Sequence, residues 1–275
     1  MVNKLEETLY NKLEADSLTF SEKNELWRDD AEKLKADLII KYSGEVNSLL
    51  DIGCAWGQTL NKLIDKIPIL AGVDESPDRL KSLNSQRIKT YQCRSDSLIL
   101  DDNSFEAILM SHILHEIKLF NELDVYANTM SEIKRVLKQN GNFIVIDHRD
   151  PGPGRVTIDI GSKIDFIKKF QDRFKLRHIE VSYYNNEVNL SIRDCHDFIT
   201  KIWSIDTAAE ELEMNETHTV INANEFTKDM IRFGLKPKVN ISFNPISNLM
   251  SYYGIKIIDG NDWGRQLFIL SKSTN

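Results

Sequence analysis

The sequence predicts an α/β fold built on a doubly wound, mostly parallel sheet, and three observations carry that prediction. Short apolar runs alternate with helical patterns from residue 48 to residue 147, a glycine-bearing turn follows the first run, and acidic residues stand at the ends of the first two runs. Residues 1–45 are rich in Glu, Lys, Leu and Asp, with apolar positions at Leu26, Trp27, Ala31, Leu34, Leu38 and Ile39, which reads as two helices. The run Ser48-Leu49-Leu50-Asp51-Ile52 stops at Gly53, as a buried strand feeding a turn does. A helix over 58–66 leads to a second run over 69–73 that ends in Asp74, and Ser76-Pro77 starts the next helix. Strand, helix and strand within about 30 residues make a right-handed crossover.

The alternation continues with strands over 89–93, 105–110 and 142–147 and a helix over 121–137, the turn Asn140-Gly141 preceding the fifth strand. Regularity then breaks at Pro151-Gly152-Pro153-Gly154, which neither a helix nor a central strand tolerates. Residues 151–222 are read as an inserted α+β cap: a strand over 155–160, a helix over 164–174, a hairpin turning at Asn185-Asn186 and one helix over 194–213. A helix over 223–233 ends at Gly234, and strands over 238–243 and 266–271 complete a sheet of seven. The expected organisation is an N-terminal helical lid (1–46), a sheet domain (47–150 and 223–275) and the cap (151–222).

Composition narrows the function classes. With 275 residues, 41% apolar and 28% charged, the chain has the balance of a globular protein and not of a disordered or fibrous one. The 35 Lys and Arg against 42 Asp and Glu leave a net charge of −7, which makes nucleic acid a disfavoured partner. Cys54, Cys93 and Cys195 are odd in number and lack a C-x-x-C spacing, so neither a disulfide framework nor a zinc ribbon fits, and a reducing cytoplasm suits them. No membrane span or export signal is read.

The stretch from Asp51 to Gln58 is the informative one. A dinucleotide fingerprint needs glycine at 53, 55 and 58, where this chain has Gly53, Ala55 and Gln58, and the P-loop lysine is absent. Asp51 beside the turn repels a pyrophosphate and attracts an ammonium or sulfonium group. Asp74, about 20 residues on, sits where an acidic side chain accepts the two hydroxyls of a ribose, so the ligand expected is a nucleoside with a cationic end.

With Gly53, Cys54, Ala55, Trp56 and Gly57 in place, the segment resembles motif I of class I S-adenosylmethionine-dependent methyltransferases, Asp/Glu-x-Gly-x-Gly-x-Gly, with Ala55 for the middle glycine. Val73-Asp74-Glu75-Ser76-Pro77 is similar to that family's acidic loop after strand 2, and Arg94-Ser95-Asp96-Ser97-Leu98 to the loop whose acid meets the adenine amino group. Residues 102–108 with Ser111-His112-Ile113-Leu114-His115 resemble the strand 4 region of the small-molecule branch that includes quinone-biosynthesis methyltransferases, and Leu137-Lys138-Gln139-Asn140-Gly141 the turn before strand 5. The resemblance covers about residues 48–148. It implies a Rossmann-like seven-stranded sheet, S-adenosylmethionine as cofactor and S-adenosylhomocysteine as product, methyl transfer to an O, N or C acceptor of a small molecule, and a cofactor set of Asp51, Gly53, Cys54, Ala55, Trp56, Gly57, Asp74, Glu75, Asp96, Ser97 and Ser111.

Trp56 either covers the methionine end of that cofactor or stands exposed on its loop. His112 after strand 4, His148 after strand 5 and His196 in the cap are the candidate bases for an oxygen or acidic-carbon acceptor, while His115 reads equally as a core histidine. The polar groups around 194–197 and 213–218 read as a solvated surface, and Arg149, Arg155, Arg173, Arg177 and Arg193 either hold a substrate anion or line a charged face. No His-x-x-x-His pair is present, so a metal-free site is expected. Aminocarboxypropyl transfer or cyclisation, a protein or peptide acceptor, and a non-catalytic cofactor-binding scaffold stand as rivals, and a homodimer is left open.

Overall fold

The computed structural model describes residues 20–81, 83, 87–120 and 123–272. The first of the two helices expected before residue 45 therefore lies outside the described residues, and the second is α1 (Phe20–Ser43). There follow β1 (Ser48–Ile52), α2 (Gln58–Leu63), β2 (Ile69–Asp74), α3 (Pro77–Lys81), β3 (Ile88–Gln92), β4 (Phe105–Ser111), α4 (Leu114–Phe120), α5 (Leu123–Val136) and β5 (Leu137–Asp147). Beyond these come β6 (Arg155–Asp159), α6 (Ile164–Arg173), β7 (Ser182–Tyr184), β8 (Glu187–Ser191), α7 (Ile192–Lys201), α8 (Glu210–Met214), α9 (Ala223–Arg232), β9 (Leu235–Pro245), α10 (Ile246–Tyr252), β10 (Lys256–Asp259) and β11 (Gly264–Lys272).

Seven strands form one sheet in the order β3-β2-β1-β4-β5-β11-β9. The pairings of β1 with β2 and β4, of β2 with β3 and of β4 with β5 are all parallel. Parallel strands are covered on both faces, which is why β1 is buried at all five positions and Phe143 to Asp147 of β5 form an unbroken buried run. Strand order reverses between β1 and β4, so their carboxyl ends flank the switch point at which such sheets bind ligands. β5 is longer than the 142–147 expected, because the left-handed turn at Asn140 (φ 60°) lies inside it and its register against β4 slips between Phe105 and Ala107.

The chain divides into two compact units, residues 1–147 with 227–241 and 267–275, and residues 148–226 with 242–266. The second unit takes residues 148–226 and 242–266, where the sequence reading sets a cap over 151–222 and leaves 242–266 in the sheet domain. Within it β10, β6, β8 and β7 make a second sheet, antiparallel at each pairing of β10 with β6, β6 with β8 and β7 with β8. Its α7 is capped by Ser191, whose Oγ accepts from the Asp194 N–H at 3.1 Å.

The single helix expected over 194–213 is corrected to two. α7 tightens after Lys201 into one turn, Ile202–Ser204, and the chain then turns through Asp206 at φ 64° before α8. The Ser204 carbonyl accepts from both the N–H (2.9 Å) and the hydroxyl (2.7 Å) of Thr207, a local alternative that hydroxyl side chains offer to the helix ladder.

Candidate functional site

The loop between β1 and α2 is assembled from left-handed residues: Gly53 (φ 74°), Ala55 (φ 46°) and Gly57 (φ 71°). Gly53 is also required sterically, since a Cβ there would fall 2.9 Å from Ile113 at the exit of β4. Four of the loop amides are used internally. Gly53 and Cys54 N–H both donate to the Val73 carbonyl (2.8 and 3.0 Å), Ala55 N–H to Asp74 Oδ2 (3.0 Å) and Gly57 N–H to the Cys54 carbonyl (2.8 Å). A phosphate cradle needs such N–H groups directed at the anion, and these four are not offered to one.

Asp51 lies at the end of β1 with 3% exposure, and its Oδ1 has no hydrogen-bond partner among the described residues. Burial first, then the charges of Glu32 and Asp74 against that of Lys35, push its carboxyl up to about 8. An orphaned carboxylate oxygen costs free energy unless a cation or donor comes to it, and the ammonium of S-adenosylmethionine is such a group.

Asp74 closes β2 and is buried. Its two oxygens accept from Ala55 N–H and Ser76 N–H (2.9 Å), and Arg79 Nη1 stands 3.7 Å away. A carboxylate has about four lone-pair sites, so capacity for ribose hydroxyls remains. A cavity of about 400 Å³ opens beside it, lined by Gly53, Asp74, Glu75, Arg79, Arg94, Ile117 and neighbours from β1, β2, α4 and α5. Of the expected cofactor set, Gly53, Asp74 and Glu75 line this cavity.

Asp96 and Ser97 lie outside the lining, which takes Cys93, Arg94 and Ser95 from that loop instead. The Asp96 carboxylate is engaged by Arg94, Nε to Oδ1 at 2.9 Å and Nη2 to Oδ2 at 3.3 Å. Two residues apart, these side chains form a local pair that no single-strand pattern announces. The Cys54 thiol is buried against β2, where a Cβ on Gly72 would come within 2.6 Å of its sulfur, and burial pushes its pKa up, so it is no nucleophile. Trp56 is 51% exposed on the loop.

At the exit of β4, Ser111 Oγ lies 3.3 Å from His112 Nδ1, and His112 adopts φ 53° while donating its N–H to the Ile146 carbonyl at 2.8 Å. A left-handed histidine at the switch point is held there by its surroundings, a feature that clusters at active sites. The sequence reading missed Asp147. This buried residue accepts from the N–H groups of Leu114 (3.1 Å) and His115 (3.2 Å) at the start of α4 and pairs with His115 Nδ1 at 2.7 Å. An acid closing β5 directly before a candidate histidine was the available signal.

In the second unit, His148 stacks flat on His218 with ring centroids 4.1 Å apart, and His196 meets His148 edge-on at 5.3 Å. Trp263 Nε1 donates to His196 Nδ1 at 2.8 Å, which leaves a neutral His196 protonated on Nε2. The polar groups around 194–197 and 213–218 are corrected from surface to interior: Asp194, His196, Asp197, Glu216 and His218 are buried, and Lys201 has no exposure at all. The three Lys201 donors meet Glu213 (3.1 Å), Glu216 (3.3 Å) and His218 Nε2 (3.2 Å). The cap arginines are likewise engaged by the unit itself: Arg177 by Asp194 and Asp197, Arg173 by Asp206 and Glu210, Arg193 by Asp150, and Arg155 by Asn189.

The family model described as a methyltransferase domain matches residues 50–145. The uncharacterized methyltransferase YcgJ of Bacillus subtilis is 28% identical over 144 residues, 48% of this chain and 54% of that protein, so the chain spans about half the length of this curated relative. Two solved structures share the fold. The geranyl diphosphate C-methyltransferase of Streptomyces coelicolor, solved with Mg2+, geranyl diphosphate and S-adenosylhomocysteine, has a TM-score of 0.54 at 13% identity over 96% of this chain and 86% of that one. The 1,6-didemethyltoxoflavin N1-methyltransferase of Burkholderia thailandensis has a TM-score of 0.51 at 13% identity over 100% of this chain and 91% of that one. Residues 50–145 thus match a methyltransferase domain, and the chain shares its fold with solved methyltransferases.

Proposed function

We propose that the protein transfers a methyl group from S-adenosylmethionine to an oxygen, nitrogen or carbon atom of a small molecule. The observation that carries the cofactor is the buried, orphaned Asp51 beside a left-handed glycine loop, one strand away from Asp74 and its 400 Å³ cavity. Bound there, S-adenosylmethionine supplies an electrophilic methyl on a sulfonium. Asp51 holds the cationic end, Asp74 and Glu75 take the ribose, and the lining from Cys93 to Ser95 meets the base. Holding the acceptor in line with the methyl is the protein's main contribution to the rate. His112, at the switch point, is the first candidate to take the proton of an oxygen or acidic-carbon acceptor, with His148 and His196 of the second unit as the others.

The net charge of −7 supports a small acceptor over nucleic acid. The free thiols of Cys54, Cys93 and Cys195 suit a reducing, cytoplasmic setting. Among the described residues no helix is long and apolar enough to cross a membrane. The test is incubation of the full chain with methyl-labelled S-adenosylmethionine and a small-molecule extract. An extract component that gains one methyl, with S-adenosylhomocysteine formed in equal amount, is expected. Methylthioadenosine as product would move the chemistry to aminocarboxypropyl transfer, label in protein would move the acceptor, and tight binding without turnover would favour a scaffold.

A further inference from the structure

The connector from β3 to β4, residues 93–104, is held along its length by α5. Three residues of that helix, Val125, Thr129 and Glu132, follow the i, i+4, i+7 spacing that puts them on one face. Val125 lines the 400 Å³ cavity, the hydroxyl of buried Thr129 lies 3.0 Å from that of Ser95, and Glu132 Oε2 accepts from the Leu98 N–H at 2.8 Å. Arg135, at the end of the same helix, has all five guanidinium donors engaged at this corner. Its Nε and Nη2 meet Glu132 (2.8 and 2.7 Å), Nη2 also meets the Leu98 carbonyl (2.9 Å), and Nη1 meets the Leu100 carbonyl (2.6 Å) and Asp102 Oδ1 (2.8 Å). The carbonyls of Arg135 and Val136 then accept from the N–H groups of Asn103 (2.9 Å) and Ser104 (2.8 Å), which leads the chain into β4. A planar fork answered at every donor fixes its partners in angle as well as in distance.

The near end of this connector, Cys93 to Ser95, is a wall of the cavity, and its own acid, Asp96, is engaged by Arg94. What that wall offers a ligand therefore depends on where α5 holds the connector. Resting on the cofactor reading above, we propose that Arg135, through Glu132 and Leu98, and Thr129, through Ser95, are positioning residues that set the selectivity of the cavity for the base of the cofactor. Arg135 itself stands outside the cavity lining. It also supports the fold, so a loss of stability does not identify the role, whereas a change in base preference does.

The experiment is titration calorimetry of the full chain with S-adenosylhomocysteine and with S-inosylhomocysteine, whose base carries oxygen in place of the amino group. The unaltered protein is expected to prefer the first by about 10-fold or more. Arg135→Gln is expected to weaken S-adenosylhomocysteine about 10-fold and S-inosylhomocysteine by no more than about twofold, so that the preference collapses. Arg135→Lys, which keeps the charge without the fork, should lose the preference as well. Thr129→Val, which removes one buried hydroxyl, should reduce it about threefold, and it carries the test alone if the Arg135 variants do not fold. Circular dichroism melts establish which variants are folded. Equal loss of both probes, or a full preference retained, in the folded variants would overturn the inference while leaving the cofactor in place, as would an unaltered protein that binds the two probes alike. Absence of binding by either probe to the unaltered protein would instead overturn the cofactor reading.

Discussion

Replacing Asp51 by asparagine should make the ligand-free protein more stable at alkaline pH while abolishing its hold on the cofactor. Burial, with Glu32 and Asp74 near and Lys35 opposing, pushes the Asp51 carboxyl from 3.8 up to about 8. In the unfolded chain it titrates at its ordinary value, so between the two the folded state holds a proton that the unfolded state has released. Stability therefore falls as pH rises from about 4 and levels off above about 8. At 1.36 kcal/mol for each pH unit, with screening by solvent that reaches the site, the loss at pH 9 is roughly 2 to 6 kcal/mol. The Asp51→Asn variant, with an amide that does not titrate, escapes it, and even the lower figure raises Tm by about 4 °C or more in a chain of this size. The assay is a series of ligand-free circular dichroism melts of both proteins from pH 4.5 to 9. The Tm advantage of Asp51→Asn should be small at pH 4.5, grow through neutrality and plateau above pH 8. An Asp51→Asn protein less stable than the parent at pH 9 would refute the reasoning, because it would mean that the native carboxylate is ionised and satisfied.

Four further outcomes follow from the geometry. Asp74→Ala should lower both cofactor affinity and stability, the latter by about 1–3 kcal/mol in urea unfolding, because the amides of Ala55 and Ser76 lose their acceptor. Gly57→Ala should cost at least about 1 kcal/mol by the same assay, since φ is 71° and the new Cβ would meet Leu83. Lys201→Met should destabilise by about 3–5 kcal/mol, read from denaturant midpoints, by leaving Glu213 and Glu216 buried without their cation. Trp263→Phe should shift the His196 tautomer toward a mixture in nitrogen-15 spectra, and an unchanged spectrum would deny that the indole sets it.

The first, second and fifth strands and the glycine loop were legible because each strand is a short apolar run bounded by a residue with a backbone or charge reason to be there: Gly53 after β1, Asp74 at the end of β2 and the Asn140-Gly141 turn before the apolar part of β5. The places of Asp51 and Asp74 on β1 and β2 were legible for the same reason, while the two amide bonds that Asp74 accepts show only in the folded loop. What escaped depends on partners distant in sequence or on local competition. Asp147 shows its role only when Leu114 and His115 are brought to it, and Lys201 looks solvated until three acceptors surround it. The break after Ser204 turns on hydroxyl groups that oppose the helix, and Asp96 was claimed by Arg94 two residues away. Residues 242–266 carry ordinary strand and helix patterns, and no local signal said that they would group with the second unit.

The central claim is that this chain binds S-adenosylmethionine through Asp51 and Asp74, and equilibrium titration of the full chain with S-adenosylhomocysteine, beside NADH as control, tests it most directly. The account predicts saturable single-site binding of S-adenosylhomocysteine, none of NADH, and loss of the first in Asp51→Asn and Asp74→Ala. Binding of NADH, or S-adenosylhomocysteine binding untouched by either substitution, would contradict it.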